Sequence, residues 1–221
     1  MRVLSLLLCF GLAACVSIEG AADRPPPFSA AAAAPAAETY PIAVDLPAGT
    51  YRLDPRHASV LFRIRHQALA YFVARFDTKD AAFEFDPADP SRSRLTASVD
   101  AASVNTGLVN NRGERSFDRS IGRALGAERT PQISFVSTAI ERTGAHAARV
   151  TGDLTMNGQT HPMTLEVTFA GASIDPLRGG AQVLGFAGHG EIDRTLWGVG
   201  AWRGLAGDEV QIVIEAELVR D

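Results

Sequence analysis

The chain has 221 residues, a formal net charge of −4 at pH 7, and 46% of its residues are hydrophobic. That charge argues against a nucleic-acid partner. Cys9 and Cys15 are the only cysteines, and removal of residues 1–14 would leave Cys15 alone, so stability must come from an ordinary core rather than an intramolecular disulfide.

Residues 1–14 read as a signal peptide. Arg2 supplies the positive start, and residues 3–12 form an almost unbroken apolar run. The run falls short of the about 20 residues that a membrane-spanning helix needs. It ends in Leu12-Ala13-Ala14-Cys15, which resembles the lipobox of bacterial lipoproteins, where the cysteine sulfur receives a diacylglycerol and the chain is cut before it. The plainer alternative is a secreted protein with a chance cysteine. Lipidation would anchor the mature protein stably, since each buried CH₂ contributes about 0.8 kcal/mol and two or three chains act together. By the same resemblance, Val16 favours an outer-membrane location, facing the periplasm, over the inner membrane.

Residues 15–48 read as a tether. Pro25-Pro26-Pro27, the alanine run 30–34, Pro35 and Ala36-Ala37 offer little apolar area to bury, and the prolines interrupt any helix.

From Gly49 to the end, residues 49–221, the pattern is that of one domain of short strands. Val60, Phe62, Ile64 and His66 share one face, with Leu61, Arg63 and Arg65 opposite, a period of two. Phe72, Ala74 and Phe76 alternate next, followed by Phe83 and Phe85, then Leu95, Ala97 and Val99. Further runs cover residues 133–138, 148–154, 163–169, 183–192 and 210–219, with Asn157-Gly158 as a hairpin signal. Many short strands at regular spacing predict an antiparallel barrel or sandwich. Residues 111–125 break the rule. Phe117, Ile121 and Leu125 recur at helical spacing, Asn111 and Glu114 resemble a capping box, and Gly126 suits the stop. This amphipathic helix is expected beside the barrel, as a plug for an open edge or a lid over the mouth.

No nucleophile elbow, P-loop, His-Glu-x-x-His or Cys-x-x-Cys occurs. The five histidines, His57, His66, His146, His161 and His189, stand singly. His57 and His66 could approach each other across a sheet, but no catalytic residue or metal set is assigned.

The stretch Tyr51-Arg52-Leu53-Asp54-Pro55-Arg56-His57-Ala58-Ser59-Val60, continuing to His66, resembles the opening of YceI-family domains. Val73-Ala74-Arg75-Phe76, Ala102-Ser103-Val104-Asn105-Thr106, Thr130-Pro131-Gln132-Ile133, Val150-Thr151-Gly152-Asp153 and Asp193-Arg194-Thr195-Leu196-Trp197-Gly198 follow in the family's order. The resemblance implies an all-β, lipocalin-like antiparallel barrel of about eight strands with one helix. It implies binding, storage or transport of a long amphiphile in the cell envelope: a polyisoprenoid, an isoprenoid quinone or a fatty-acid derivative. No established catalytic residue and no required cofactor come with it. A membrane b-type cytochrome is an associated partner of the family, and a homodimer is compatible with it. Two departures stand in the helix, where Asp118 and Ala124 occupy positions at which the family carries His and Phe; Ala74 stands where glycine is common.

Candidate ligand-lining residues are Phe62, Ile64, Phe76, Phe83, Phe135, Phe169 and Phe186, whose burial contributes about 1.5–3 kcal/mol each whether the neighbour is ligand or protein. The same rings could fill a solid core, in which case the barrel would serve as a structural partner for an envelope protein. His66 is the candidate for a headgroup hydroxyl or quinone oxygen. Trp197, with Trp202, suggests amphipathic rings near an opening. Asp193 and Arg194 are read as fixing the turn before Trp197.

Overall fold

A computed structural model of the chain describes residues 46–221. The signal peptide, Cys15 and the tether up to residue 45 lie outside the described residues. Among the described residues there are ten strands: β1 (Gly49–His66), β2 (Ala70–Phe76), β3 (Lys79–Phe85), β4 (Arg94–Asp100), β5 (Val104–Asn105), β6 (Gln132–Arg142), β7 (Ala147–Met156), β8 (Gln159–Asp175), β9 (Ala181–Asp193) and β10 (Ala206–Arg220). The helix α1 spans Ser116–Ala124.

The sheet runs β10-β9-β8-β7-β6-β4-β3-β1-β2-β5, and β10 closes it on β1. β2 and β3 are one strand bent at Asp77-Thr78. β2 pairs with the second half of β1, from Leu61↔Arg75 to His66↔Ala70, and β3 with its beginning, from Gly49↔Phe85 to Arg52↔Ala82. The closed wall is therefore the expected eight-stranded antiparallel barrel with one helix. Closure leaves no long unpaired edge.

A wide bulge in β1 sets which side chains face inward. Pairing with β10 jumps from Leu53↔Leu218 to Ala58↔Ala216, so residues 54–57 leave the ladder. The inward face changes from Tyr51 and Leu53 to Ala58, Val60, Phe62 and Ile64. Inside, Phe135 of β6 lies across Gly152 of β7. A Cβ there would stand 2.5 Å from the ring's Cζ, so only glycine admits the crossing.

The β1 N-terminal end of the barrel is solid. Tyr51, Ala172, Leu184 and Leu218 are buried together, with Leu53, Phe85, Phe169 and Phe186 packed against them. Tyr51 meets Phe85 edge-on at 6.1 Å, and Phe186 meets both Phe83 at 5.8 Å and Phe169 at 5.5 Å. The Tyr51 hydroxyl donates to the Pro47 carbonyl at 2.8 Å. Burial pushes its pKa up, against the opposing pull of Arg220.

The helix begins later than the sequence predicts. Asn110 rather than Asn111 organises the approach, its Oδ1 accepting from the N–H groups of Arg112 and Glu114 while Glu114 takes the Asn110 amide. The reciprocal pair exists one turn too early and caps a loop, and α1 starts at Ser116 with no side-chain cap. Gly126 ends it at φ +88°, a left-handed conformation suited to glycine. α1 packs on β5 and on the turn at residues 101–103, beside the stretch of β2 that has no strand on its second edge, and so acts as a plug.

Candidate functional site

The barrel encloses a cavity of about 770 Å³, in the upper part of the range of about 300–1,000 Å³ usual for small-molecule sites. Phe62, Ile64, Phe76, Phe83, Phe135 and Phe186 line it, and so does His66, exposed at the end of β1. The helix contributes Phe117, Ile121, Ala124 and Leu125 to the same wall. The lining reaches the exposed His66, Ala70, Trp202 and Leu205 at the end remote from Tyr51, whereas the cluster around Tyr51 fills the other end, so the cavity opens at the former. Phe72, Phe117 and Trp202 cross it ring to ring, at 5.6 Å and 5.7 Å with steep interplanar angles of 76° and 72°.

Two residues that the sequence assigns to the lining stand elsewhere. Phe169 belongs to the solid end, against Phe186 and with His146 stacked at 6.2 Å. Trp197 is 1% exposed and its indole N–H donates to the Leu154 carbonyl at 3.0 Å. His161 meets its ring edge-on at 5.1 Å. Trp197 therefore pins the turn after β9 to β7. Trp202, five residues on, is the tryptophan at the opening.

The residues around Trp197 are structural. Asp193 Oδ1 accepts from the N–H and hydroxyl of Thr195. Arg194 is buried, and its guanidinium donates to the carbonyls of Val199, Ala201, Ala206 and Gly207 and to the Asp208 carboxylate. All five N–H donors are taken, so this cation holds the β9–β10 loop and has nothing left for a ligand headgroup.

Asp118 occupies the other polar position of note. It is buried on the inner side of α1 and accepts from the Thr106 N–H and hydroxyl and from Arg115 Nε. Burial alone would raise its pKa; the hydrogen bonds from Thr106 and Arg115 outweigh that and hold it below the usual carboxylate range. Ala124, at the second departure, lines the cavity and leaves space there.

His57 and His66 do not meet. They lie nine positions apart on one strand, at about 3.3 Å per residue, with the bulge at one and the opening at the other. His57 belongs to a charged cluster outside the barrel, its Nδ1 2.5 Å from Asp54 and 3.5 Å from Glu217. Asp54, His57 and Glu217 bring three ligand atoms within 4.8 Å of one another. The buried Asp54 is already engaged by the Arg178 guanidinium and the Arg56 N–H. Burial acts to raise its pKa, and those partners with His57 lower it far more. A cation here would have to displace an arginine. The cluster clasps the β1 bulge to the β8–β9 hairpin.

Comparison with known proteins agrees with this architecture. The YceI-like domain family matches residues 51–218. The chain belongs to the YceI family. A UPF0312 protein of Serratia proteamaculans is 33% identical over 175 residues, covering 78% of this chain and 88% of that protein. Protein YceI of Salmonella newport is 32% identical over the same length and shares of the two chains. Among solved structures, Burkholderia cenocepacia BcnA aligns with a TM-score of 0.64 at 25% identity, over 75% of this chain and 98% of its own. A polyisoprenoid binding domain from Saccharophagus degradans shares the fold with a TM-score of 0.58 at 11% identity, over 79% of this chain and all of its own.

In this YceI-family barrel Phe72, Phe117 and the β10 row Val210, Ile212 and Ile214 line the cavity without having been assigned to it from the sequence, while Trp202 stands near the opening as expected. The signals were present. The β10 row alternates at period two, and Phe117 with Ile121 follows helical spacing.

Proposed function

We propose that this barrel holds a long amphiphilic lipid, of the polyisoprenoid, isoprenoid-quinone or fatty-acid class, and carries or stores it without transforming it. The observation that carries this reading is the one-ended apolar cavity of about 770 Å³. A packed barrel serving only as a structural partner would have no use for that volume. Transfer of a chain into such a cavity is favourable by about 0.8 kcal/mol per CH₂. Ten buried carbons therefore offer about 8 kcal/mol, which sets about micromolar as the upper limit of affinity once ordering costs are subtracted. The polar end of the ligand would stay at the opening, near His66 and Trp202. With Cys15 acylated, the domain would sit on its tether at one envelope membrane, the outer membrane by the Val16 reading, within reach of the bilayer that supplies its ligand.

Organic extraction of the purified chain followed by mass spectrometry tests the proposal. A stoichiometric lipid is expected. No lipid, together with no uptake of added quinone or fatty amide, would overturn it. Cys15→Ser should lower loading in cells while leaving uptake by the purified barrel unchanged.

A further inference from the structure

The end of the barrel that carries the opening is also where its outer surface is most apolar. Leu69 at the β1–β2 hairpin tip is 79% exposed, Leu205 47% and Trp202 39%, and Leu108, Val109, Phe117 and Leu196 on neighbouring segments are exposed as well. Isolated apolar side chains on a surface are ordinary. Four gathered at one opening, Leu69 on the hairpin, Phe117 on the helix and Trp202 and Leu205 on the loop, mark a contact surface.

These side chains are held firmly. Gln67 and Ala68 both occupy left-handed backbone at φ 49° and 57°, and Trp202 does so at φ 57°. None is glycine, so each position carries strain that the surroundings must maintain. The hairpin and loop are tied together by the Gln67 N–H donating to the Leu205 carbonyl at 2.7 Å, and the Trp202 carbonyl accepts from Leu205 and Ala206. The apolar tips are thus presented by stiffened backbone.

Charge selects the partner. The chain is net acidic, yet no Asp or Glu occurs between residues 61 and 76 or between 194 and 207. Arg65 on the hairpin, Arg112 before α1, Arg119 and Arg123 on it, and Arg203 beside Trp202 have no carboxylate partner among the described residues. Arg63 and Arg65 also stack over Tyr71, at 4.0 Å and 5.0 Å from its ring centre. Apolar tips with tryptophan, backed by arginine, suit the boundary of an anionic bilayer, where the rings enter the headgroup layer and guanidinium groups meet phosphate.

We infer that the open end of the barrel docks directly on an anionic membrane surface, with Leu69 and Trp202 inserted and the cavity mouth facing the lipid. This contact is separate from any acyl anchor. It rests on the lipid-holding reading only for its purpose, since a mouth pressed to the bilayer gives a chain a path that avoids water.

The test uses the chain from residue 16 onward, so that neither the apolar leader nor an acyl group contributes, and vesicles of phosphatidylcholine with or without phosphatidylglycerol. The chain has two tryptophans, and Trp197 is already buried and hydrogen bonded. A blue shift on adding vesicles therefore reports Trp202, and Trp202→Phe should abolish it. Flotation should show binding to the anionic vesicles at least about tenfold stronger than to the neutral ones. Leu69→Glu combined with Arg203→Glu should weaken it by about tenfold or more, whereas Leu177→Glu, at the 94%-exposed residue of the β8–β9 hairpin, should leave it unchanged. Equal binding to both vesicle types, an unshifted Trp202 or full binding by the double variant would overturn docking. Retained lipid is measured on the same proteins without vesicles. Its absence from the wild type alongside normal vesicle binding would count against the lipid-holding reading and leave docking standing.

Discussion

At one end of the barrel Tyr51, Phe85, Phe169 and Phe186 pack into a plug, while at the other Phe72, Phe117 and Trp202 ring a hollow. Residue type does not separate the two ends, because both are aromatic. What separates them is what fills the space between strands. At the closed end the strands β1, β3, β8, β9 and β10 all send large side chains inward, and Tyr51 has a carbonyl to take its hydroxyl. At the open end β2 has only the two-residue β5 on one edge, and a nine-residue helix stands in for the rest of the wall. A helix held by few partners closes a barrel less completely than strands do, and the opening follows from that substitution.

The largest effect is expected from breaking the plug. Tyr51→Ala removes a fully buried ring and should cost about 3–5 kcal/mol, in the range of large aromatic truncations, measured by urea denaturation. Tyr51→Phe keeps the ring and loses one hydrogen bond, so about 1 kcal/mol is expected. If the two substitutions cost the same, the hydroxyl rather than the packing closes this end.

The second effect belongs to the helix. Asp118→Ala leaves the Thr106 N–H and Arg115 without their acceptor and should cost about 1–3 kcal/mol. Acid should act in the same direction. The native pKa of Asp118 lies below its ordinary value of about 3.9. Its contribution is therefore complete above about pH 4 and is lost as pH falls through the lower native value. Bound lipid should leak in that acid window in the wild type. Asp118→Asn should leak already at neutral pH and show a flatter profile. An unchanged profile in the Asn variant would assign the acid response to Asp54 at the β1 bulge, whose pKa is lowered more strongly.

This contrast between ends also explains what could be read from the sequence. Alternation identified the inward face of nearly every strand, because a period of two is a property of the chain itself. It could not give height along the barrel. Phe169 lies on the correct face of β8 and still misses the cavity, since its level is that of Tyr51. The β1 bulge was half hidden: Pro55 cannot donate to a ladder and marks an interruption, but that five positions on β1 pass two on β10 depends on the partner strand. Trp197 and Trp202 sit on a loop with no period, so their roles could be told apart only by the Leu154 carbonyl on one side and Phe117 on the other. Asn110 and Asn111 are adjacent, and which of them organises the turn depends on a one-residue shift in backbone.

Filling the hollow end should turn it toward the solid one. Ala124 lines the cavity from α1, and Ala124→Phe adds a ring where space exists. Overpacking costs about 1–3 kcal/mol where no room is present, so a stability change below about 1 kcal/mol would show that the ring occupies the cavity. Lipid affinity should then fall by about tenfold, equivalent to about 1.4 kcal/mol, read by competition against a fluorescent fatty acid. Full affinity with unchanged stability would mean that ligand and ring use different parts of the cavity.

The smallest change in stability, and the sharpest separation of the ends, is expected at Trp202. Its edge contact with Phe117 is worth about 0.5–1.5 kcal/mol. Its left-handed backbone at φ 57° is a conformation that glycine adopts freely. Trp202→Gly therefore loses the ring contact and relieves the backbone, two terms of similar size and opposite sign. Net stability should move by less than about 1 kcal/mol, well under the cost at Tyr51. Escape of bound lipid should nevertheless become about three- to tenfold faster, because the ring that spans the opening is gone while the wall is intact; about 0.7–1.4 kcal/mol accounts for that change. Stopped-flow transfer of a fluorescent fatty acid to acceptor vesicles measures it. An unchanged rate would place the barrier to release at Phe72 and Phe117, on the strand and helix, and leave Trp202 as a surface ring alone.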